Sequence, residues 1–317
     1  MKSYGFPYKG SKNRLAEKIV KLFPDAENFY DLFCGGCAIT HRALIENRWK
    51  NYVINDIDSR CPKLFLDAIN GKFKDETRWI SREDFFKLKD DDGYVAFCWS
   101  FGNKLSNYLY SKKIEPYKKA CHYAIVFDDF SLIKELCPEV YDVTKEALNG
   151  IKNIKKRRLA FGPSVIKELK RLGDWDLVQN NPLYKSAHWR GGKLDGKHND
   201  LQSLQSLERL ERLEQFSTDY QNVNIYKDSI IYCDIPYKGT DGYNGIDFDH
   251  EAFYTWCKNQ TELCFISSYK MPEDFIPIAE FPHRSILSAT KNNLVLEKVF
   301  IPKHQLELYK NRLSACI

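Results

Sequence analysis

Residues 28 to 58 leave the chain little freedom in how it folds. An apolar strand-like run, Asn28-Phe29-Tyr30-Asp31-Leu32-Phe33, is followed by a tight loop, Cys34-Gly35-Gly36-Cys37, and a helical segment from Ala38 to Ile45. A second strand follows, ending in Asn55-Asp56-Ile57-Asp58. Strand, glycine loop, helix and strand make a βαβ unit. Adjacent glycines let the backbone come close to a ligand, and a loop at the carboxyl end of a strand is where open α/β sheets bind small molecules. An acid about twenty residues past the glycines is where such a unit receives ribose hydroxyls. A dinucleotide competes as ligand, but the loop lacks the G-x-G-x-x-G pattern that seats a pyrophosphate, so a nucleoside without phosphates fits better. A plain βα turn explains the glycines equally well when they are taken alone.

A further acid closes a strand far downstream, where the apolar run Ser229-Ile230-Ile231-Tyr232-Cys233 leads into Asp234-Ile235-Pro236-Tyr237. An exocyclic amine on a nucleobase is a poor nucleophile because its lone pair is delocalised into the ring. It needs acceptors that draw off its two hydrogens. Asp234 is one acceptor and the Ile235 carbonyl is the other, since Pro236 holds Ile235 extended and turns that carbonyl outward. Tyr237 would then lie flat on the base. A strand ending in a proline turn with a structural Asp accounts for the same four residues in isolation.

Cys34 and Cys37 form C-x-x-C at a helix start, the arrangement in which thiol oxidoreductases stabilise a thiolate. Nothing downstream resembles the rest of such a domain, and no second Cys or His pair completes a zinc site. Small residues beside a bound ligand are the other reading. The ten cysteines suit reduced, buried thiols rather than a disulfide framework. At 317 residues and 43% hydrophobic, the chain can bury a core domain and carry a substantial insert. Its net charge of +5 permits a polyanionic partner without demanding one. No apolar run reaches the length of a membrane span, and the first residues lack the apolar stretch of a signal peptide. A cytoplasmic protein with no membrane partner is therefore expected.

Four motifs in order carry a family likeness: Pro7-Tyr8-Lys9-Gly10-Ser11-Lys12, Asp31-Leu32-Phe33-Cys34-Gly35-Gly36-Cys37, Asn55-Asp56-Ile57-Asp58 and Asp234-Ile235-Pro236-Tyr237. Together they resemble the Dam-like (D12 class) DNA adenine N6-methyltransferases of phage and bacterial type, over residues 5 to 60 and 215 to 302. The resemblance implies an α/β, Rossmann-like S-adenosylmethionine-dependent methyltransferase fold with a mixed central sheet and an inserted, mainly helical target-recognition region. It implies a cofactor-binding part at 1–80, the insert at 81–214 and the catalytic part at 215–317. Tyr8 and Lys12 match the N-terminal turn that contacts the cofactor. Asp31, Phe33 and Gly35 match the glycine loop under its methionine moiety, Asp56 the ribose-binding acid, and Asp219-Tyr220 a pair near its adenine. Asp234, Ile235, Pro236 and Tyr237 match the catalytic motif. Two residues depart from the pattern. Cys37 stands at the last glycine position and puts a side chain where the family keeps the cofactor site bare, and Ile235 replaces the first proline of D-P-P-Y, where a carbonyl suffices. The implied reaction moves a methyl group from S-adenosylmethionine to the N6 amine of a flipped adenine in double-stranded DNA, with no metal.

Within 81–214 the composition changes. Trp99 and Asn103, with Asn107, Tyr108 and Tyr110, interleave aromatics and amides, which suits stacking on a flipped base or equally the insert's own small core. Lys152, Lys155, Lys156, Arg157 and Arg158 form a basic cluster, read as phosphate contacts or as a solvated helix face. His188 and His198 border the basic loop Trp189 to Lys193 and suit solvent or phosphate contacts better than metal ligation. Leu201, Leu204, Leu207, Leu210 and Leu213 recur every third residue, a period of neither coiled coil nor helix stripe, and read as a connector. No obligate protein partner is evident. A cytosine N4 amine or an RNA adenine is the alternative substrate, a degenerate methyltransferase fold that only binds nucleic acid is the non-enzyme alternative, and a thiol-redox enzyme is the third.

Overall fold

The computed structural model describes residues 3–103, 105–173, 181–188, 197, 200–204, 207, 212–238, 248–284 and 294–314. Trp189 to Lys193, His198 and Leu210 lie outside the described residues. The chain divides into two compact units, Met1–Lys74 with Asp200–Ile317, and Asp75–Asn199. Glu214, the expected last residue of the insert, sits inside a strand of the first unit.

That first unit is built on a seven-stranded sheet ordered β3-β2-β1-β4-β5-β7-β6. Its strands are β1 (Asn28–Asp31), β2 (Asn51–Asn55), β3 (Leu213–Phe216), β4 (Ser229–Cys233), β5 (Leu263–Ser268), β6 (Phe275–Arg284) and β7 (Leu294–Pro302). Strands β1 to β5 pair in parallel, and β7 runs antiparallel to both β5 and β6. This is the expected mixed, mostly parallel sheet of a Rossmann-like methyltransferase. Parallel strands covered on both faces read as unbroken apolar runs, and β4 and β5 are buried along their whole length. Alternate residues feed two cores. Phe29, Ile230, Tyr232 and Phe265 pack with the helices Ala16–Val20 and Ala38–Glu46, whereas Tyr30, Ile231, Cys233 and Ile266 pack with the helix His250–Lys258. From β1 the chain steps outward to β2 and β3, then returns to β4 on β1's other side. The carboxyl ends of β1 and β4 therefore flank the topological switch point, where open α/β sheets take their ligands.

The second unit is mainly helical, and its longest helix is Ile154–Leu172. Asn153 caps it by accepting the Lys156 N–H at 3.1 Å. Arg157, Phe161, Val165 and Leu169, four residues apart, form its buried stripe, and the three apolar members join a core with Ile133, Leu148 and Leu183. That stripe corrects one expectation. Arg157 points inward, where its guanidinium donates to the carbonyls of Ala124, Ile125, Leu148 and Ile151 and pairs with Asp128, so it is no phosphate contact. Lys152, Lys155 and Lys156 stay exposed and Arg158 partly so. Trp99 is also corrected. It is fully buried, with Tyr108 stacked at 6.2 Å and Trp79 edge-on at 5.2 Å, and so belongs to this unit's core rather than to a base-stacking surface. The side chain of Asn103 lies outside what is described. In the leucine run, Leu201 and Leu204 are buried and Leu213 opens β3. Among the described residues no helix is long and apolar enough to cross a membrane.

Arg157→Ala strips four buried carbonyls of their donor and is expected to lower stability by about 3–5 kcal/mol. Lys155→Ala and Lys156→Ala should each change it by less than about 0.5 kcal/mol, and urea unfolding of the three variants checks the contrast.

Candidate active site

Strand register sets the two motifs side by side. In the parallel pairing of β1 with β4, Asp31 lies opposite Tyr232, and the Leu32 N–H continues the ladder by donating to the Tyr232 carbonyl at 3.0 Å. The glycine loop and the Asp234 turn thus leave the same edge of the sheet from neighbouring strands.

The loop is pinned through its backbone. Cys34 N–H donates to the Asn55 carbonyl at 3.0 Å, and Gly35 N–H to the Asp56 carboxylate at 2.8 Å. The other Asp56 oxygen receives the Asp58 N–H at 2.9 Å. Burial pushes the Asp56 carboxyl up to about 6, against the pull of those two N–H donors. Tyr8 lies on the loop: a Cβ at Gly35, whose φ is +45°, would fall 2.8 Å from its ring, and one at Gly36 would fall 2.7 Å from the Phe6 carbonyl. The bare glycines are therefore needed to seat the N-terminal turn. The buried Asn55 amide donates to the Leu32 and Thr218 carbonyls, both at 3.1 Å, and ties the segment carrying Asp219-Tyr220 to the loop. Tyr220 is buried 5.3 Å from the Phe33 ring, whereas Asp219 is exposed and accepts the Gln221 N–H.

Cys37 has the left-handed φ of 53° that makes glycine the natural occupant of its position. Its thiol is wholly buried and contacts the Gly35 carbonyl, so the expected intrusion into ligand space is overturned. Burial raises the pKa of both Cys34 and Cys37. That is opposite to what a redox thiolate needs, and the thiol-oxidoreductase reading falls. Asp31, at the end of β1, accepts the Thr40 hydroxyl at 2.6 Å, and its second oxygen is buried without a protein partner. Burial pushes its carboxyl up to about 7.

Lys12 sits at the second motif, not at the glycine loop. Its ammonium lies 2.7 and 2.8 Å from the two Asp234 oxygens and 4.0 Å from Glu297. The Tyr237 hydroxyl donates to Glu297 and stands 3.5 Å from Asp234, and its ring meets Tyr269 edge-on at 4.5 Å. Ile235 is buried in the core with Phe253 and Tyr254, and the Pro236 carbonyl lies 2.9 Å from His250 Nε2. Burial raises the carboxyls of Asp234 and Glu297, and the Lys12 charge pulls both back. Burial works against the Lys12 ammonium, but the two carboxylates outweigh it and raise its pKa.

Glu297 is a site residue that sequence reasoning passed over. Its signal was the one acid in the strand-like stretch Leu294 to Ile301, whose other residues apart from Lys298 are apolar. Because β7 is antiparallel, its early residues reach the carboxyl edge of the sheet, and Glu297 lies just beyond the last residue paired with β5.

A Rossmann-like sheet thus sets a glycine loop beside the turn Asp234-Ile235-Pro236-Tyr237. Residues 8–147 match the family model for D12 class N6 adenine-specific DNA methyltransferase. That family is one of enzymes that methylate the N6 amine of adenine in DNA, and methyltransferases of this kind generally use S-adenosylmethionine. No curated protein matches the chain. The matched stretch ends well before Asp234.

Folding lifts the Asp31 pKa from 3.8 to about 7, so the folded state holds the proton more tightly than the unfolded one. The stability this confers is complete below about pH 4 and is lost as pH rises through about 7. Asp31→Asn should flatten the pH dependence of urea stability across that window. A slope equal to the parent's would count against a strained buried carboxylate.

Proposed function

We propose that the edge shared by the β1 loop and the β4 turn is the methyl-transfer site, and that it acts on an adenine flipped out of double-stranded DNA. The observation that carries this reading is the pairing of β1 with β4, which brings Gly35 and Asp234 to one edge. The donor set fits S-adenosylmethionine: Asp31 offers a buried acceptor without a protein partner to its ammonium, Asp56 an acid to its ribose, and Phe33 with Tyr220 aromatic faces to its adenine. Gly35 and Tyr8 would form the floor beneath it, with Cys37 and Asp219 supporting the loop and the Tyr220 segment. When bound, that group supplies a sulfonium methyl.

Asp234 and the Ile235 carbonyl accept the hydrogens of the target amine, which frees the nitrogen lone pair and stabilises the positive charge that grows on nitrogen. Ile235 serves as well as proline because its side chain is spent in the core and only its carbonyl is required. Pro236 fixes the turn, and Tyr237, anchored at its hydroxyl by Glu297, presents a ring for the base to stack on. Most of the acceleration comes from positioning and from the carboxylate. In the second unit, exposed Lys155 and Lys156 with Arg158 would contact phosphates. A cytoplasmic location suits an enzyme with so many reduced, buried thiols.

Asp234→Ala should cut methyl incorporation into DNA by roughly a thousandfold or more while leaving calorimetric affinity for S-adenosylmethionine largely intact. An ordinary rate would refute the assignment. Reversing charge at Lys155, Lys156 and Arg158 together should weaken DNA binding and lower its salt slope by up to about 0.9 per lost phosphate contact. An unchanged slope would mark these residues as a solvated face.

A further inference from the structure

We propose that Glu297 is a positioning residue for methyl transfer: it takes over the Lys12 ammonium when the amine of the target base occupies Asp234. The proposal rests on Asp234 as the acceptor of the amine hydrogens. Lys12 lies 2.7 and 2.8 Å from the two Asp234 oxygens, so its ammonium engages both oxygens of the carboxylate. In that state Asp234 is a poor acceptor for a second N–H group. The ammonium also cancels the negative charge needed where positive charge will grow on the amine nitrogen. Lys12 has to let go.

Release into a buried site without a counter-charge would leave the ammonium desolvated and unpaired, and it would stay where it is. Glu297 removes that obstacle. Its carboxylate is already 4.0 Å from Lys12 Nζ, and the two side chains are only 3% and 9% exposed. A shift of about one ångström converts this approach into a hydrogen-bonded ion pair of the usual length. The Tyr237 hydroxyl, bonded to Glu297 and 3.5 Å from Asp234, lies between the two carboxylates, and Lys12 sits 5.0 Å from the centre of the Tyr237 ring. One ammonium therefore serves two carboxylates, and its transfer uncovers the one that faces the base without stripping the lysine of a partner.

The test is steady-state methylation of duplex DNA by Glu297→Gln, Lys12→Met and the double variant. Glu297→Gln keeps the shape and a hydrogen-bond acceptor for Tyr237 but cannot take the ammonium. Its kcat should fall roughly tenfold to a hundredfold with little change in KM for S-adenosylmethionine or DNA. With the ammonium gone Glu297 has nothing to receive, so the double variant should be no slower than Lys12→Met alone. Glu297→Asp, which restores the charge on a side chain one carbon shorter, should recover part of the lost kcat and remain below the parent. A parental kcat in Glu297→Gln, or a loss that multiplies with that of Lys12→Met, overturns the proposal. Should Glu297→Gln fail to fold, Glu297→Asp takes its place in the cycle, lowering kcat beside Lys12 but not beside Met; equal losses in both backgrounds overturn it. Normal methylation by Asp234→Ala would instead sink the reading of the whole site, whereas an inactive Asp234→Ala beside a fully active Glu297→Gln sinks only the role given to Glu297.

Discussion

At the middle of the sheet two parallel strands lie side by side, and their register decides what stands at the edge above them. Asp31 opposite Tyr232 places the glycine loop and the Asp234 turn level with each other. Side chains alternate between the two faces, so a slip of one residue would exchange the two cores and turn Asp31 away from Thr40. Phe29, Tyr30, Ile230 and Ile231 make that slip prohibitive, because each is completely buried on its own face. The geometry of the site is thus enforced by apolar packing beneath it. The polar residues at the edge need only emerge in the right place.

Those polar residues are unbalanced in charge. Asp31, Asp56, Asp234 and Glu297 gather along the carboxyl edge with Lys12 among them, and burial is the first cause of the raised pKa of each acid. Mutual repulsion adds to it, since Asp234 raises both Asp31 and Asp56. A fold selected only for stability would not collect buried acids in this way. A surplus of buried negative charge is, however, suited to holding a cationic donor and to stabilising a nitrogen that becomes positive.

The βαβ unit was legible because its strands are short apolar runs and its loop is marked by paired glycines, and the Asp234 turn because its acid follows such a run directly. Other features depend on facts that a linear reading does not contain. Glu297 became part of the site only through the antiparallel direction of β7, which no local pattern announces. Arg157 is one of several basic residues in a row, and its inward turn shows once the stripe through Phe161, Val165 and Leu169 is laid along the helix. Trp99 has the composition of a binding residue and the position of a core residue. The meaning of Cys37 lay in its backbone: the place of a glycine there reflects a left-handed φ, not space kept for a ligand. Leu213 looked like the tail of a repeat, yet its neighbours pair with β2 as the edge strand β3.

Lys12 and Asp234 are 222 residues apart, and β7, which carries Glu297, is the last strand of the sheet. A chain emerging from the ribosome therefore holds its glycine loop and Asp234 before it holds the second carboxylate. Contacts of such high sequence separation form late, after the loop-closure entropy has been overcome. The cluster of Lys12, Asp234 and Glu297 is thereby tied to the docking of β7 between β5 and β6.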